Sequence, residues 1–195
     1  MSVHFFALIS RMRHIGRWGL MRNTQPENLQ EHSYMTAVFA HALALVRRDI
    51  LGLPADPDRA AAAALFHDAA ELFTGDLPTP VKYFDPDLRA AYRRVEETAA
   101  RRLLALLPES LRPAYTPLLA EQSDPGTDAL VRAADKLAAY VKCLEELRDG
   151  NREFAPAARQ TREKLDAMHS PEVAWFLEHC VPSFSLSLDE VTPEH

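Results

Sequence analysis

Cysteine is scarce in this sequence of 195 residues, which contains only Cys143 and Cys180, far apart in the chain. No Cys-x-x-Cys pair is present, so the sequence offers neither a thiolate zinc site nor a dithiol redox pair. We therefore expect both cysteines to be reduced thiols in the protein core.

Long apolar runs and an excess of basic residues are also missing. The longest apolar stretches, such as Ala60 to Phe66, are much shorter than the roughly 20 residues of a membrane-spanning helix. The first eight residues include an apolar patch, but no basic segment precedes it and no small-residue cleavage site follows it. The formal net charge of −6 leaves few cations to neutralise the phosphates of a polymer or of an anionic bilayer. We expect a cytoplasmic protein that binds neither nucleic-acid polymers nor membranes, although a small anionic substrate remains open.

What the sequence does contain is typical of one helical domain. Hydrophobic residues make up 47% and charged residues 26%, which is enough apolar material to form a core. Apolar residues recur at helical spacing, with glycine and proline between the periodic stretches. These patterns predict an all-α single domain over residues 1–195, with helices at about Val3 to His14, Asn28 to Asp49, Asp58 to Thr74, Leu88 to Leu107, within Pro113 to Gly126, Thr127 to Arg148, Phe154 to Met168 and Glu172 to Cys180.

Several helix ends carry recognisable capping residues. Asn28, with Glu31 three residues later, predicts a capping box at the start of the second helix. Asp58 is the predicted N-cap of the third helix, and Thr127 or Asp128 that of the long helix near the C-terminus. Two prolines predict a rigid, extended connector over Asp76 to Pro80.

The adjacent pair His67 and Asp68 is the strongest chemical signal. Apolar residues surround the pair in Ala63-Ala64-Leu65-Phe66-His67-Asp68-Ala69-Ala70, so both side chains are predicted to point into the bundle. Burying a carboxylate without a partner costs several kcal/mol, and a divalent cation is a natural partner. Consecutive helical residues lie about 100° apart around the axis, so both side chains can reach one point.

Two further residues complete a predicted metal site. A lone His32 or a lone Asp135 is more often a structural residue, but each lies on a helix that can face His67 and Asp68. Two imidazoles and two carboxylates suit Mn²⁺, Co²⁺, Fe²⁺, Ni²⁺ or Zn²⁺, and the lack of thiolate argues against a closed structural zinc site. The sequence therefore predicts one divalent ion held by His32, His67, Asp68 and Asp135.

The order His, His-Asp, Asp is the pattern of HD-domain metal-dependent phosphohydrolases. The surrounding motifs narrow the resemblance to the bacterial 5′-deoxynucleotidases of that superfamily, over about His4 to Asp189. The motifs are His4-Phe5-Phe6, Arg17-Trp18-Gly19-Leu20-Met21-Arg22-Asn23, Glu27-Asn28, Glu31-His32-Ser33, Phe66-His67-Asp68-Ala69-Ala70-Glu71, Thr74-Gly75-Asp76-Leu77-Pro78-Thr79-Pro80-Val81-Lys82-Tyr83-Phe84, Ala138-Ala139-Tyr140-Val141-Lys142-Cys143-Leu144-Glu145-Glu146 and Val181-Pro182-Ser183-Phe184.

The resemblance implies hydrolysis of 2′-deoxynucleoside 5′-monophosphates to deoxynucleoside and phosphate, by an all-helical cytoplasmic homodimer that uses Co²⁺, Mn²⁺ or a similar transition metal. It assigns Glu71 and Asp76 to catalysis, and leaves open which positions water and which protonates the leaving group. It further implies that the nucleotide is bound by Arg17, Trp18, His32, Asp76, Leu77, Pro78, Thr79 and Asp135, with Lys82 as an additional candidate.

Arg17 could hold phosphate oxygens and Trp18 could exclude a 2′-hydroxyl, although the segment from Gly16 to Gly19 could equally be a hydrophobic anchor with a surface cation. Two other functions remain open. One is a different HD activity, such as hydrolysis of a dNTP, an alarmone or a cyclic dinucleotide. The other is a non-catalytic helical module with a structural metal ion.

Overall fold

The computed structural model describes residues 2–82, 84–119 and 124–192, with Thr79 described by its backbone alone. The predicted all-α class is confirmed. Within the described residues there is no β-strand, and a single antiparallel bridge joins Gly16 to Asn28. The α-helices are α1 (Phe5–Ile9), α2 (Leu29–Leu45), α3 (Pro57–Phe66), α4 (Glu71–Thr74), α5 (Thr79–Lys82), α6 (Pro86–Ala105), α7 (Arg112–Leu119), α8 (Pro125–Arg148), α9 (Ala155–Asp166), α10 (Pro171–His179) and α11 (Leu188–Val191).

Shorter turns extend several of these helices. A 3₁₀ helix (Ser10–His14) continues α1, and a π-helical turn (Val46–Ile50) continues α2. Two further 3₁₀ helices (Arg152–Phe154 and Val181–Ser185) precede α9 and follow α10. No helix in the described ranges is long and apolar enough to cross a bilayer.

Helix α2 belongs to the largest hydrophobic cluster and packs against α3 and α8. Its buried residues share one broad face, whereas Tyr34 and Val38 on the opposite face are exposed, which is typical of a helix at the edge of a core. The predicted capping box is confirmed, because Asn28 Oδ1 accepts from the backbone N–H of Gln30 and Glu31, and Glu31 Oε2 accepts from that of Asn28. The start of α2 is therefore fixed one turn before His32.

Two predicted caps are wrong by a few residues. The N-cap of α3 is Asp56, and that of α8 is Asp124. In both helices a proline follows the cap, and proline suits the first helical position because its fixed φ is helical and its missing N–H is not needed there. Both helices therefore begin earlier than predicted: α3 begins before Asp58, and α8 begins before Thr127 and Asp128.

The helix predicted from Asp58 to Thr74 is interrupted at residues 67–70. His67 Nδ1 lies 2.7 Å from the carbonyl oxygen of Ala64, the oxygen that would accept from Asp68 N–H in a continuous α-helix. The backbone instead forms tighter bonds to the third preceding residue, such as Glu71 N–H to Asp68 O at 2.9 Å. The histidine ring therefore contacts a backbone carbonyl at the break between α3 and α4.

The connector after α4 is also shorter than predicted. Residues 75–78 are irregular, but Thr79 and Pro80 already belong to α5, so the extended conformation predicted through Pro80 is wrong there. Proline is tolerated in the first turn of a helix because its missing N–H has no partner to lose there.

A buried polar network fastens the segment before α2 to α8. Glu146, which is 1% exposed, accepts from the backbone N–H groups of Thr24 and Gln25, from Lys142 Nζ at 2.6 Å and from Asn151 Nδ2 at 2.7 Å. Lys142 Nζ also donates to the Gln25 carbonyl oxygen. The loop that returns the chain to α2 is therefore fixed at its middle.

Glu146→Gln should destabilise the fold by about 3–5 kcal/mol at pH 7, because it leaves the buried Lys142 without its charged partner. Despite the opposing effect of burial, the hydrogen bonds from Lys142 and Thr24 lower the pKa of Glu146 below its ordinary value of 4.5. Its contribution is therefore complete above pH 4.5 and declines as the pH falls below that value. Urea unfolding of the wild type and of Glu146→Gln at pH 7 and pH 4 tests this. A difference in the free energy of unfolding that is the same at both pH values would contradict it.

Candidate metal and nucleotide site

Four side chains converge from α2, the turn after α3, and α8. One ligand atom from each of His32, His67 and Asp135 lies within 4.8 Å of the other two. Asp68 is outside this mutual group, but its Oδ2 lies 3.0 Å from Nε2 of His67 and 3.6 Å from Nε2 of His32. Asp135 Oδ1 lies 3.2 Å from His32 Nε2. The structure thus brings together all four residues that the sequence predicts as metal ligands.

Both imidazoles are held in orientations that leave ring nitrogens for a ligand. His67 Nδ1 is engaged by the Ala64 carbonyl, which leaves its buried Nε2 directed towards Asp68 Oδ2. His32 is completely buried, and its Nδ1 is without a hydrogen-bonding partner. A metal-binding histidine commonly fixes one ring nitrogen on a carbonyl or carboxylate and offers the other, and His67 has this arrangement.

The charges of the group fit a divalent cation. Burial lowers the pKa of His67, but the Asp68 carboxylate outweighs burial and raises it to about 9. Burial raises the pKa of Asp68, whereas His67 lowers it to about 2. The pKa of Asp135 is held well below its ordinary value by His32 and Lys136, against the effect of burial. In the chain alone, protonated imidazole neutralises carboxylates that a divalent cation would otherwise neutralise, so the residues fit a metal ion.

Glu71 and Asp76 flank this group. Glu71 begins α4, is 8% exposed, and has a buried Oε2 without a hydrogen-bonding partner. Burial, together with Asp68 and Asp76, raises the pKa of Glu71 to about 9. Asp76 lies in the irregular connector, with Oδ1 3.9 Å from Arg17 Nη1. Both carboxyl groups are beside the group that the sequence predicts to bind metal.

Arg17 and Trp18 lie on the loop before α2. Arg17 Nη1 is 3.5 Å from Asp68 Oδ2, so its guanidinium faces the histidine and aspartate group. Trp18 itself has a left-handed backbone conformation with φ of 59°, and Met21 N–H donates to its carbonyl oxygen at 2.8 Å. A tight turn thus begins at the tryptophan, with Gly19 and Leu20 at its centre. Its indole packs against Phe154, with ring centroids 5.2 Å apart.

The remaining predicted residues lie along the connector after α4 or beside the four predicted metal ligands. Leu77 and Pro78 are half-buried in the connector, while the side chain of Thr79 is outside the described residues. Lys82 lines a cavity of about 150 Å³ together with His67, Asp68 and Asp135, and its Nζ donates to Glu96 Oε1 at 2.8 Å. The cavity therefore opens directly onto the metal-binding candidates.

Glu27 is a site residue whose role the sequence does not indicate. Its Oε2 accepts from Arg17 Nε at 3.1 Å and from Trp18 Nε1 at 2.9 Å. The contacts span nine and ten residues across an irregular loop, where no periodic spacing predicts which side chains meet. The sequence signals were its place in the motif Glu27-Asn28 and its position beside the helix cap Asn28, and neither indicates a role.

Comparisons with known proteins agree with this geometry. The family model of YfbR-like 5′-deoxynucleotidases matches residues 4–184. A 5′-deoxynucleotidase of Erwinia tasmaniensis is 48% identical over 98% of this chain and 97% of its own, and one of Vibrio cholerae is 47% identical over 97% and 98%. The crystal structure of an HD-domain phosphohydrolase from Listeria innocua superposes with a TM-score of 0.81 at 26% identity, covering 94% of this chain and 90% of its own. The predicted HD-domain helical fold is confirmed.

Proposed function

Because the chain belongs to the YfbR-like family of 5′-deoxynucleotidases, we propose that it hydrolyses 2′-deoxynucleoside 5′-monophosphates to deoxynucleoside and phosphate. The observation that carries this proposal is the convergence of His32, His67, Asp68 and Asp135 beside two flanking carboxyl groups and one arginine. Phosphomonoester hydrolysis needs a positioned water, a proton for the leaving 5′ oxygen and charge to hold the phosphate. This arrangement offers groups for each requirement.

His32, His67, Asp68 and Asp135 would hold one divalent cation. When bound, such a cation supplies Lewis-acid charge that draws electron density from the phosphate oxygens. We propose Co²⁺, Mn²⁺ or a similar transition metal, which the family resemblance implies and which a mixed set of imidazole nitrogen and carboxylate oxygen can bind. Loading the metal-free protein with each ion separately and measuring both bound metal and phosphate release tests this choice.

Arg17 binds the phosphate, because its planar guanidinium can donate two parallel hydrogen bonds to phosphate oxygens. Glu71, which has a buried oxygen without a hydrogen-bonding partner, transfers a proton in the step in which water attacks phosphorus and the 5′ oxygen leaves. Asp76 faces Arg17 and orients the water. His32 and Asp135 also contact the substrate, while Leu77, Pro78 and Thr79 shape the edge of the pocket.

Release of inorganic phosphate from dAMP, AMP and dATP, with and without Co²⁺, tests the proposed function. We expect metal-dependent release from dAMP, with much less from AMP and from dATP. Preferred hydrolysis of dATP would indicate a triphosphohydrolase of the HD superfamily. Metal binding without hydrolysis of any nucleotide would indicate a helical module with a structural ion.

Sugar selection is proposed to depend on Trp18. A 2′-hydroxyl held against its indole would be buried without a partner, which costs about 1–3 kcal/mol, or roughly 5- to 150-fold in the ratio of kcat/KM for dAMP over AMP. We expect Trp18→Ala to retain metal and to narrow that ratio, because water can enter the enlarged site. Trp175→Phe is a matched control, since Trp175 stacks on His179 in α10. An unchanged ratio in Trp18→Ala would assign selection to another residue.

We further propose that the protein is a homodimer in the cytoplasm. Exposed apolar side chains, including Phe73 of α4 and Leu88 and Val95 of α6, supply an apolar surface that supports dimer formation. Light scattering of the purified protein tests the dimer, and cell fractionation tests the location.

A further inference from the structure

Glu27 joins Arg17 and Trp18, the residues proposed to bind the phosphate and to select the sugar, through a single carboxylate oxygen. Its Oε2 accepts one hydrogen bond from Arg17 and one from Trp18. The side chains of Glu27 and Arg17 are 14% and 12% exposed, so solvent screens this contact weakly. Arg17 and Trp18 therefore share one anchor.

The backbone around Glu27 is fixed independently of its side chain. Gly16 pairs with Asn28, Arg17 N–H donates to the Glu27 carbonyl oxygen at 2.9 Å, and Leu29 N–H donates to that of Ile15 at 2.9 Å. A few residues before Glu27, the Glu146 carboxylate accepts hydrogen bonds from the backbone N–H groups of Thr24 and Gln25. Removing the Glu27 side chain would thus leave the loop path supported while releasing two side chains.

The two hydrogen bonds also determine what each partner offers to a substrate. Because Arg17 uses Nε for Glu27, its Nη1 is directed to Asp68 and Asp76. Because Trp18 uses its indole N–H for Glu27, the ring is held edge-on to the carboxylate and against Phe154. A charged acceptor gives shorter and stronger hydrogen bonds than a neutral one, so both orientations are well defined.

We infer that Glu27 is a positioning residue that sets the phosphate-binding guanidinium of Arg17 and the sugar-facing indole of Trp18 in one fixed relation. This inference rests on the proposed function. It predicts that binding of the phosphate and selection of deoxyribose are coupled through one carboxylate, although Glu27 does not touch the reacting atoms.

Steady-state kinetics of Glu27→Ala and Glu27→Gln with dAMP and AMP test this inference. We expect Glu27→Ala to raise the KM for dAMP about tenfold or more, since two charge-assisted hydrogen bonds are lost, and to lower kcat by a smaller factor. The ratio of kcat/KM for dAMP over AMP should narrow. Glu27→Gln keeps a carbonyl oxygen that can accept both N–H groups, so it should restore much of the ratio.

A double-mutant cycle separates this coupling from a general loss of structure. If Glu27 acts on selection through Trp18, the double variant Glu27→Ala, Trp18→Ala should have the same dAMP over AMP ratio as Trp18→Ala. Metal content should match the wild type in each variant. Glu178→Ala, which removes an exposed carboxylate on α10, is the control and should leave both KM and the ratio unchanged.

The outcomes distinguish the inference from the function on which it rests. A wild-type protein that releases no phosphate from dAMP would overturn both. An active wild type with an unchanged KM and ratio in Glu27→Ala would overturn the inference alone. If Glu27→Ala and Glu27→Gln lose kcat/KM for dAMP to the same extent and both lose metal, Glu27 has a purely structural role. That result would also overturn the inference.

Discussion

Asp68→Asn is expected to lower kcat/KM for dAMP by at least about 10³-fold, equivalent to roughly 4 kcal/mol of transition-state stabilisation. Asp68 lies within 3.0–3.6 Å of His67, Arg17 and His32, so its charge acts on two predicted metal ligands and on the arginine proposed to bind phosphate. Asparagine has nearly the same shape but no charge. The substitution therefore tests electrostatics with little change in packing.

Measuring bound metal shows whether the loss of kcat/KM in Asp68→Asn comes from weaker metal binding or from a defect with the metal still bound. We expect Asp68→Asn, and likewise Asp135→Ala, to retain less Co²⁺ or Mn²⁺ after loading and dialysis, as measured by elemental analysis. Asp166→Asn changes an exposed aspartate paired with Arg162 on α9 and serves as the matched control. Full metal occupancy in Asp135→Ala would contradict the proposed ligand set.

Glu71→Gln is expected to lower turnover by about 10²–10⁴-fold at saturating metal, the usual range for a general acid or base. Its amide retains the size and hydrogen-bonding oxygen of the side chain but cannot transfer a proton at neutral pH. Because Glu71 is not among the four proposed ligands His32, His67, Asp68 and Asp135, metal content should remain at the wild-type level.

The comparison of turnover with metal content is the decisive measurement for Glu71. Glu97→Gln, an exposed position on α6, controls for the loss of one negative charge. Near-normal turnover in Glu71→Gln would exclude the proton-transfer role. Loss of metal in parallel with activity would instead place Glu71 among the ligands.

The positions of the two flanking carboxyl groups, Glu71 and Asp76, favour a catalytic role over a purely structural one. Glu71 is buried with an unpartnered oxygen, and an unsatisfied buried polar atom costs free energy that a purely structural helix would not retain. Asp76 occupies a connector between two single-turn helices, α4 and α5. These features favour an enzyme over a module in which the ion is only structural.

The sequence by itself determined the helical class, the capping box at Asn28 and the four converging residues of the predicted metal site. Each of these depends on local information: apolar periodicity is a property of short segments, a cap involves neighbours three residues apart, and a buried histidine and aspartate pair requires a nearby partner. The motif resemblance added the function to these local signals.

Only the tertiary structure decided how the chain bends at the site and what holds its loop. At the break after α3 the His67 ring contacts the backbone carbonyl of Ala64, and the loop of Arg17 and Trp18 is fixed by Glu27 and by the buried Glu146. These contacts involve side-chain directions in irregular backbone, or residues more than 100 positions apart. Neither has a periodic signature in sequence, because the partners meet only after the helices have packed.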